Sequence, residues 1–563
     1  MQSTPIWNRP VARRFLDSVF GQGALLPPLK FCSRACALAC TLALALCASL
    51  PVNAQVRLPA LGEAAADDFS VGTERALGDQ IMREIRRDPD YLDDPTLLDY
   101  VQGIWQPLLD AALKRGEITP ETARQLAWEV FLVRDRSVNA FALPGGFVGV
   151  HLGLIAMTAS RDELAAVLAH ELSHVTQRHI ARSIVNTQRT TLLSAAAMIL
   201  GVLAASKAGS ADGAQAAVVG SQAAAVQAQL NFSRDAEREA DRVGFGVLTD
   251  AGYAPAGMAS MFDKLEFASR LNDNGSYPYL RSHPLTVDRI SEARARVVSS
   301  GPGATAEPLL HLLMGARARV LMDGTAQSLR RLQDRLGSSP LTSIDALPFN
   351  ERLAVLYGGA FAAGQLRDGA PAAAALAKAD ELMRTKAPAD EAAQRAFALL
   401  NAQLMLQRGD AAGAIRVLDA PLLVPASRAA LLMRAQAALV LSQANPAAAA
   451  ADLQLSVDAL QSWVSLHRQD PLAWELLGQA ADVQGQRLRS LRAQAEARAA
   501  LGDINDAIDR LRAAQAQGRG GDRNDYIDAS VIDSRLRELR AQQRQLAAEM
   551  RGKTAPNLAA TTR

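Results

Sequence analysis

The sequence predicts an α+β fold that is mostly α: a unit with a few strands around one long helix, followed by an α-solenoid of stacked helix pairs. Three observations predict it. Alanine and leucine dominate while aromatic residues make up only 5%, a composition that favours helices. Two segments, Trp128–Arg134 and Phe147–Leu152, alternate as strands do. After Pro302 the chain becomes a succession of Ala/Leu helices punctuated by glycine. At 563 residues it is too long for a single core, so about three structural units are expected.

The formal net charge is +2. Arg9, Arg13, Arg14, Lys30 and Arg34 against Asp17 place +4 in the first 54 residues, which leaves −2 for the rest. That balance gives no bulk attraction to nucleic acid. All four cysteines (Cys32, Cys36, Cys40 and Cys47) lie in the same stretch. Without it the chain has no thiol, which suits an oxidising compartment without using its chemistry.

Residues 1–54 read as a cleaved signal peptide. A basic lead ending in Lys30 and Arg34 precedes an apolar run from Ala35 to Leu50, then Pro51-Val-Asn-Ala54 before Gln55. Cleavage is expected between Ala54 and Gln55. The run is short for a membrane span of about 20 residues, and Leu46 before Cys47 argues against a lipoprotein.

Residues 70–115 are expected to form helices over about 74–87 and 95–114, with Pro95 in a first turn. Asn139–Gly146 reads as a turn between the two strands. The strand Phe147–Leu152 is either the place where an extended peptide pairs by strand addition or half of a plain core hairpin. His151 within it is read as structural.

Ser160-Arg-Asp-Glu163 fits a capping box and starts a long helix. Inside it stands His170-Glu-Leu-Ser-His174, the spacing H-E-x-x-H. Two histidines four apart share a helix face and can share a metal ion. Glu171, one position round, reaches a water on that metal without ligating it. This is the arrangement of a zinc peptidase, in which the metal acidifies a water and the carboxylate takes its proton. One Zn2+ per chain is expected. His179 lies off the shared face and is read as structural.

The third ligand is expected downstream, where Ser233–Gly244 opens another helix. Glu237 and Asp241 are four apart on one face, and small Ala240 and Gly244 permit close approach to the first helix. Glu237 completes a two-histidine, one-carboxylate set with water in the fourth position. Asp241 then accepts the distal N–H of a ligating histidine. Between the motifs, Leu192–Ala205 is apolar on all sides but too short to span a membrane, and Val218–Val226 continues in the same small-residue style. The stretch 192–226 is a buried hairpin, a mobile lid or a membrane-touching segment. His283, before Pro284, either stabilises an oxyanion or occupies the open metal position and shuts the site.

H-E-L-S-H followed by S-R-D-A-E-R-E-A-D-R, with N-A-F-A-L-P-G-G before and Ser282-His-Pro284 and Arg289 after, resembles the gluzincin metallopeptidases of the HtpX and CAAX-prenyl-protease type. The resemblance covers about residues 70–300. It implies a zincin-like metallopeptidase domain over 55–302 and zinc ligands at His170, His174 and Glu237. It also implies a catalytic base at Glu171, a supporting acid at Asp241, and a role at the site for His283. Membrane-integral members have several spanning helices, which this chain lacks, so the likeness is to the exported branch.

Over 303–550, tetratricopeptide fragments recur: Trp474-x-x-Leu477-Gly478, then Leu501-Gly502-Asp503 with Ala507 and Leu511, and earlier Arg408-Gly409-Asp410 with Ala414 and Leu418. Tetratricopeptide-type pairs stack into a curved solenoid whose concave face binds peptide. A charged helix over Leu536–Met550 and a disordered tail, 551–563, close the chain. An exported gluzincin joined to such repeats resembles Gram-negative proteases that assist β-barrel assembly. That likeness implies a zinc-dependent endopeptidase of the periplasm, acting in outer-membrane protein assembly and quality control. The implied partners are unfolded or misassembled outer-membrane proteins, the β-barrel assembly machinery and the membrane surface. The alternative is a periplasmic chaperone or adaptor whose repeats bind the clients while the zinc site is silenced. A third reading, an anchored membrane protease, needs the N-terminal segment to stay on the chain.

Overall fold

The computed structural model describes residues 69–186, 234–270, 277–300, 308–337, 344–386, 389–517 and 523–554. The N-terminal segment 1–54, the apolar stretch 192–226 and the tail from 555 lie outside the described residues. All that is described belongs to one unit, Gly62–Arg563.

Helix α1 (Val71–Ile85) starts where Ser70 Oγ accepts the Thr73 amide at 3.1 Å, three residues before the apolar pattern suggests. A short strand β1 (Tyr91–Leu92) leads to α2 (Pro95–Lys114), capped by Asp94, with Pro95 at its first position. After α3 (Pro120–Gln125) come β2 (Glu129–Val133), β3 (Ala140–Leu143) and β4 (Phe147–His151). The sheet order is β1-β2-β4-β3, with β2 and β4 parallel and the outer pairs antiparallel.

Two expectations are corrected here. Half of the expected turn over 139–146 is strand: Ala140–Leu143 pairs in register with Phe147–Val150. The turn shrinks to Pro144-Gly145-Gly146, whose glycines have φ of 84° and 88°, a region that glycine enters without a Cβ clash. The second correction concerns strand addition. Strand β4 is flanked by β2 and β3 and has no open edge; the edge strands are β1 and β3, and β3 is the one beside β4. Asn139 O accepts the His151 amide at 3.0 Å. By alternation, the backbone groups of Ala140 and Ala142 point away from β4.

Next come α4 (Leu152–Met157), α5 (Arg161–Thr176), α6 (His179–Asn186), α7 (Arg234–Asp250), α8 (Ala256–Arg270), α9 (Pro278–Ser282) and α10 (Val287–Ser300). Helix α5 is buried on all sides, packed against α2, α7, α8 and β3. That is why its apolar residues run round the whole helix rather than along a stripe.

The core does not break at residue 302, although the composition changes there. One continuous apolar cluster runs from Leu92 to Leu404. It draws in α11 (Pro308–Leu321), α12 (Ala326–Asp334), α13 (Phe349–Gln365), α14 (Gly369–Lys386) and α15 (Glu391–Gln407). Helix α11 packs on α4, and its buried His311 bridges the Tyr100 hydroxyl and the Thr158 carbonyl at 2.7 and 2.9 Å. Arg317 of α11 makes a two-pronged contact with Asp94, both distances 2.7 Å. Composition registers the end of the strand-bearing segment; it does not register which faces are shared.

The remaining helices pack in succession around smaller cores: α16 (Ala411–Leu418), α17 (Arg428–Ala444), α18 (Pro446–Leu466), α19 (Pro471–Val483), α20 (Arg487–Ala500), α21 (Ile504–Gln517) and α22 (Arg523–Thr554). Gly409 and Gly502 sit in equivalent turns with φ of 85° and 81°. The last helix begins well before Leu536 and runs past Met550. Arg428 ties this array to the start of α2 through Asp93 and Asp470, at 2.7 to 2.8 Å. Among the described residues, no helix is long and apolar enough to cross a membrane.

Candidate metal centre

The site is made by two helices pressed together. Ser160 Oγ accepts the Glu163 amide at 3.2 Å, and Glu163 accepts the Ala159 amide at 2.7 Å and pairs with Lys264 of α8 at 2.6 Å. The start of α5 is thus capped and pinned to α8 at once. Helix α7 crosses α5 with Ala240 fully buried and Gly244 at the point of closest approach. A Cβ on Gly244 would stand 3.0 Å from the Ala169 carbonyl oxygen and 3.2 Å from His170 Cα.

This packing brings the expected site residues together. His170 and His174 face each other through Nε2 at 3.0 Å. Glu237 of α7 reaches both, with oxygens 3.5 Å from His170 Nε2 and 3.5 Å from His174 Nε2. His283, just after α9, places Nδ1 3.0 Å from Glu237 Oε1 and 3.3 Å from His170 Nε2. One donor atom from each of these four residues falls within 4.8 Å of every other. Asp241 lies behind His170, its Oδ1 3.0 Å from Nδ1. Glu171 is fully buried, with neither oxygen in a well-aligned hydrogen bond. The Ala142 amide of the edge strand and His283 Nε2, at 3.5 Å, are among its neighbours.

The electrostatics suit a cation. Burial alone would lower the His170 pKa, but Asp241 and Glu237 overcome it and raise it to about 10. Burial lowers His174 well below the usual imidazole value, and the positive charge on His170 adds to this. Burial also raises the Glu171 carboxyl. Glu237 is lowered, the charges of His283 and His170 outweighing burial. Asp241 is lowered because its bond to Arg289 outweighs burial. Three carboxylates, Glu171, Glu237 and Asp241, are buried beside one guanidinium, Arg289. A divalent ion at the converging donors brings this set to neutrality, and a two-histidine, one-carboxylate set is what zinc takes. The residues therefore fit zinc.

Two groups carry more than the sequence indicated. Arg289 contacts Asp241 at 2.6 and 2.9 Å, Glu237 at 2.8 Å and the Pro284 carbonyl at 2.9 Å, so one side chain braces both carboxylates and the His283 loop. His179, expected to lie apart, places Nδ1 2.8 Å from His174 Nδ1 and Nε2 3.0 Å from Glu239. Nothing in Thr176-Gln177-Arg178 signals the helix end that turns it back toward the site. His151 stays apart, buried and bonded to Ser137 at 2.9 Å.

Comparison with known proteins agrees with this geometry. Residues 109–297 match the model of Peptidase family M48. The chain is 31% identical over 493 residues to the Beta-barrel assembly-enhancing protease of Yersinia pestis, covering 86% of this chain and 92% of that one. It is 29% identical over 488 residues to the Beta-barrel assembly-enhancing protease of Escherichia coli K12, covering 86% and 91%. A shorter likeness, 31% over 159 residues, is to the Mitochondrial metalloendopeptidase OMA1 of Arabidopsis thaliana, covering 28% of this chain and 29% of that one.

Proposed function

This chain belongs to peptidase family M48 and is a zinc metalloendopeptidase, and from that premise we propose that it works in the periplasm on outer-membrane proteins whose assembly has failed. The observation that carries the chemistry is the convergence of His170, His174 and Glu237 from two helices, with Glu171 beside them. The observation that carries the setting is a likeness spanning 92% of a β-barrel assembly-enhancing protease, helical array included.

In this reading His170, His174 and Glu237 hold zinc, which when bound supplies a Lewis acid and an acidified water. Glu171 takes the proton of the attacking water and delivers it to the leaving amine. Its burial favours this exchange, since a carboxylate raised from its usual value holds a proton more readily. Asp241 accepts the Nδ1 proton of His170 and so keeps Nε2 free for the metal. The outward backbone groups of Ala140 and Ala142 on β3 line up an extended substrate.

His283 is read as the group in the fourth position. Its Nδ1 faces the ligand set, and with it in place His170, Glu171, His174 and Glu237 are all at most 2% exposed. Substrate entry then requires His283 to leave. The segment 1–54 is read as a cleaved export signal, and the tetratricopeptide-like helix pairs as the surface that meets clients and the β-barrel assembly machinery. The buried state of the site favours one second reading, an adaptor whose zinc site is silenced.

The test is Glu171→Gln in the full chain. It should bind zinc as wild type does and lose cleavage of unfolded casein by more than about 100-fold. Undiminished cleavage would sink the assignment. Full rescue of a null strain's outer-membrane defect by the same variant would transfer the function to the adaptor reading.

A further inference from the structure

We propose that His179 is a positioning residue for the metal centre: it accepts the Nδ1 proton of His174, so that the Nε2 lone pair of His174 is presented to the metal. The inference rests on the assignment of His174 as a ligand.

The argument begins with two nitrogens. His174 Nδ1 and His179 Nδ1 are 2.8 Å apart. At that separation one must carry the proton and the other the lone pair. His174 turns Nε2 toward His170 and Glu237, at 3.0 and 3.5 Å. A neutral imidazole that gives Nε2 to a metal keeps its proton on Nδ1, so His174 is the donor and His179 the acceptor. That places the proton of His179 on Nε2, 3.0 Å from Glu239 Oε2. Arg182 meets the same oxygen at 2.6 Å and balances its charge. His174, His179, Glu239 and Arg182 thus form a chain whose proton order follows from the ligand role of His174.

The chain also explains why an imidazole, rather than a carboxylate, stands behind His174. Asp241 already backs His170, and with Glu171 and Glu237 it loads the buried site with negative charge. A fourth buried carboxylate would need its own counter-ion there. His179 passes the hydrogen bond outward to Glu239, which is 27% exposed and already paired. Ligand orientation is obtained without adding charge to the core.

The backbone is bent to make this contact. In a continuous helix a residue five beyond His174 would point about 140° away from it. Instead α5 ends at Thr176 and Arg178 takes φ of 52°, in the left-handed region, before α6 starts at His179. For a residue with a Cβ this conformation is strained. Arg178 is held there by buried Glu74, at 3.0 Å, and by the Phe69 carbonyl. The side chain at the bend is thus anchored on Glu74 of α1 and on the residue before its cap.

The experiment uses the full chain with three variants, His179→Leu, His179→Asn and Glu239→Leu. Zinc affinity is read by competition with a chromophoric chelator, and ligand geometry by the visible spectrum of the cobalt(II)-loaded protein. Metal-free melting serves as the fold control. His179→Leu should weaken zinc binding by about 10–100-fold and change the cobalt spectrum. His179→Asn, whose amide oxygen can accept the His174 proton, should recover most of that loss. If Leu at 179 prevents folding, Glu239→Leu reads the same chain from its outer end and should cost about 10-fold. Wild-type zinc affinity in His179→Leu and Glu239→Leu, or an Asn variant as weak as the Leu variant, overturns the proposal. A His174→Ala control that still binds zinc tightly would instead overturn the ligand assignment beneath it.

Discussion

Gly244 offers the most direct test of how the centre is assembled. It lies where α7 meets α5, one turn beyond Ala240 and two beyond Glu237. An alanine Cβ would stand 3.0 Å from the Ala169 carbonyl oxygen, 3.2 Å from its carbon and 3.2 Å from His170 Cα. Those neighbours are backbone of a helix buried on all sides, so they cannot swing aside. Gly244→Ala therefore forces a shift of a few tenths of an ångström, which its better helix propensity, about 1 kcal/mol, can largely offset. Gly244→Val adds two carbons about 1.5 Å further out and must push the helices apart by about 1 Å, an overpacking cost of about 1–3 kcal/mol. Glu237 rides on α7 while His170 and His174 ride on α5, so the same displacement opens the proposed ligand set. A misplacement of about 1 Å in a catalytic site costs about 100-fold in rate. The assay is zinc competition together with peptide cleavage, with circular dichroism to verify folding. The expected order is wild type, then Ala close behind, then Val with turnover down about 100-fold and weakened zinc. A folded Val variant with wild-type zinc affinity and turnover would refute the idea that helix spacing sets the site.

Two further substitutions probe the charges that hold this arrangement. Arg289→Met keeps volume but strands Asp241 and Glu237 without their guanidinium; it should destabilise the metal-free protein by about 3–5 kcal/mol and the zinc-loaded protein by less, read as a larger drop in metal-free melting temperature. Glu163, at the start of α5, tests pH dependence: burial alone would raise its carboxyl, but Lys264, Ser260 and the Ala159 amide lower it below the usual value. A group with a depressed folded pKa stabilises above the unfolded value of about 4.3 and loses that contribution as pH falls through its folded value. The wild type should therefore lose stability below about pH 4.3 more steeply than Glu163→Gln, and equal acid slopes in denaturant titrations would rule out this contribution.

What the sequence determined alone is what local geometry determines. H-E-x-x-H and the Glu237–Asp241 pair are spacings of four on helices, and such a spacing puts side chains on one face whatever the rest of the chain does. Small residues at 240 and 244 likewise announced a close crossing before any partner was visible. The capping box at Ser160 and the turns at Gly409 and Gly502 were legible because their chemistry is confined to a few neighbouring residues. Only the tertiary structure decided the rest. Strand order depends on pairings among segments that look alike in sequence, so β3, not β4, lies at an edge of the sheet. The core crosses residue 302 because α11 buries its apolar side on α4, a contact that composition does not record. His179 reaches His174 across a left-handed bend at Arg178, whose side chain is bound by Glu74 of α1, more than a hundred residues earlier. A helix period predicts faces only while the helix continues. Beyond the end of the helix, placement depends on contacts that the period does not carry, as for His179 beside His174.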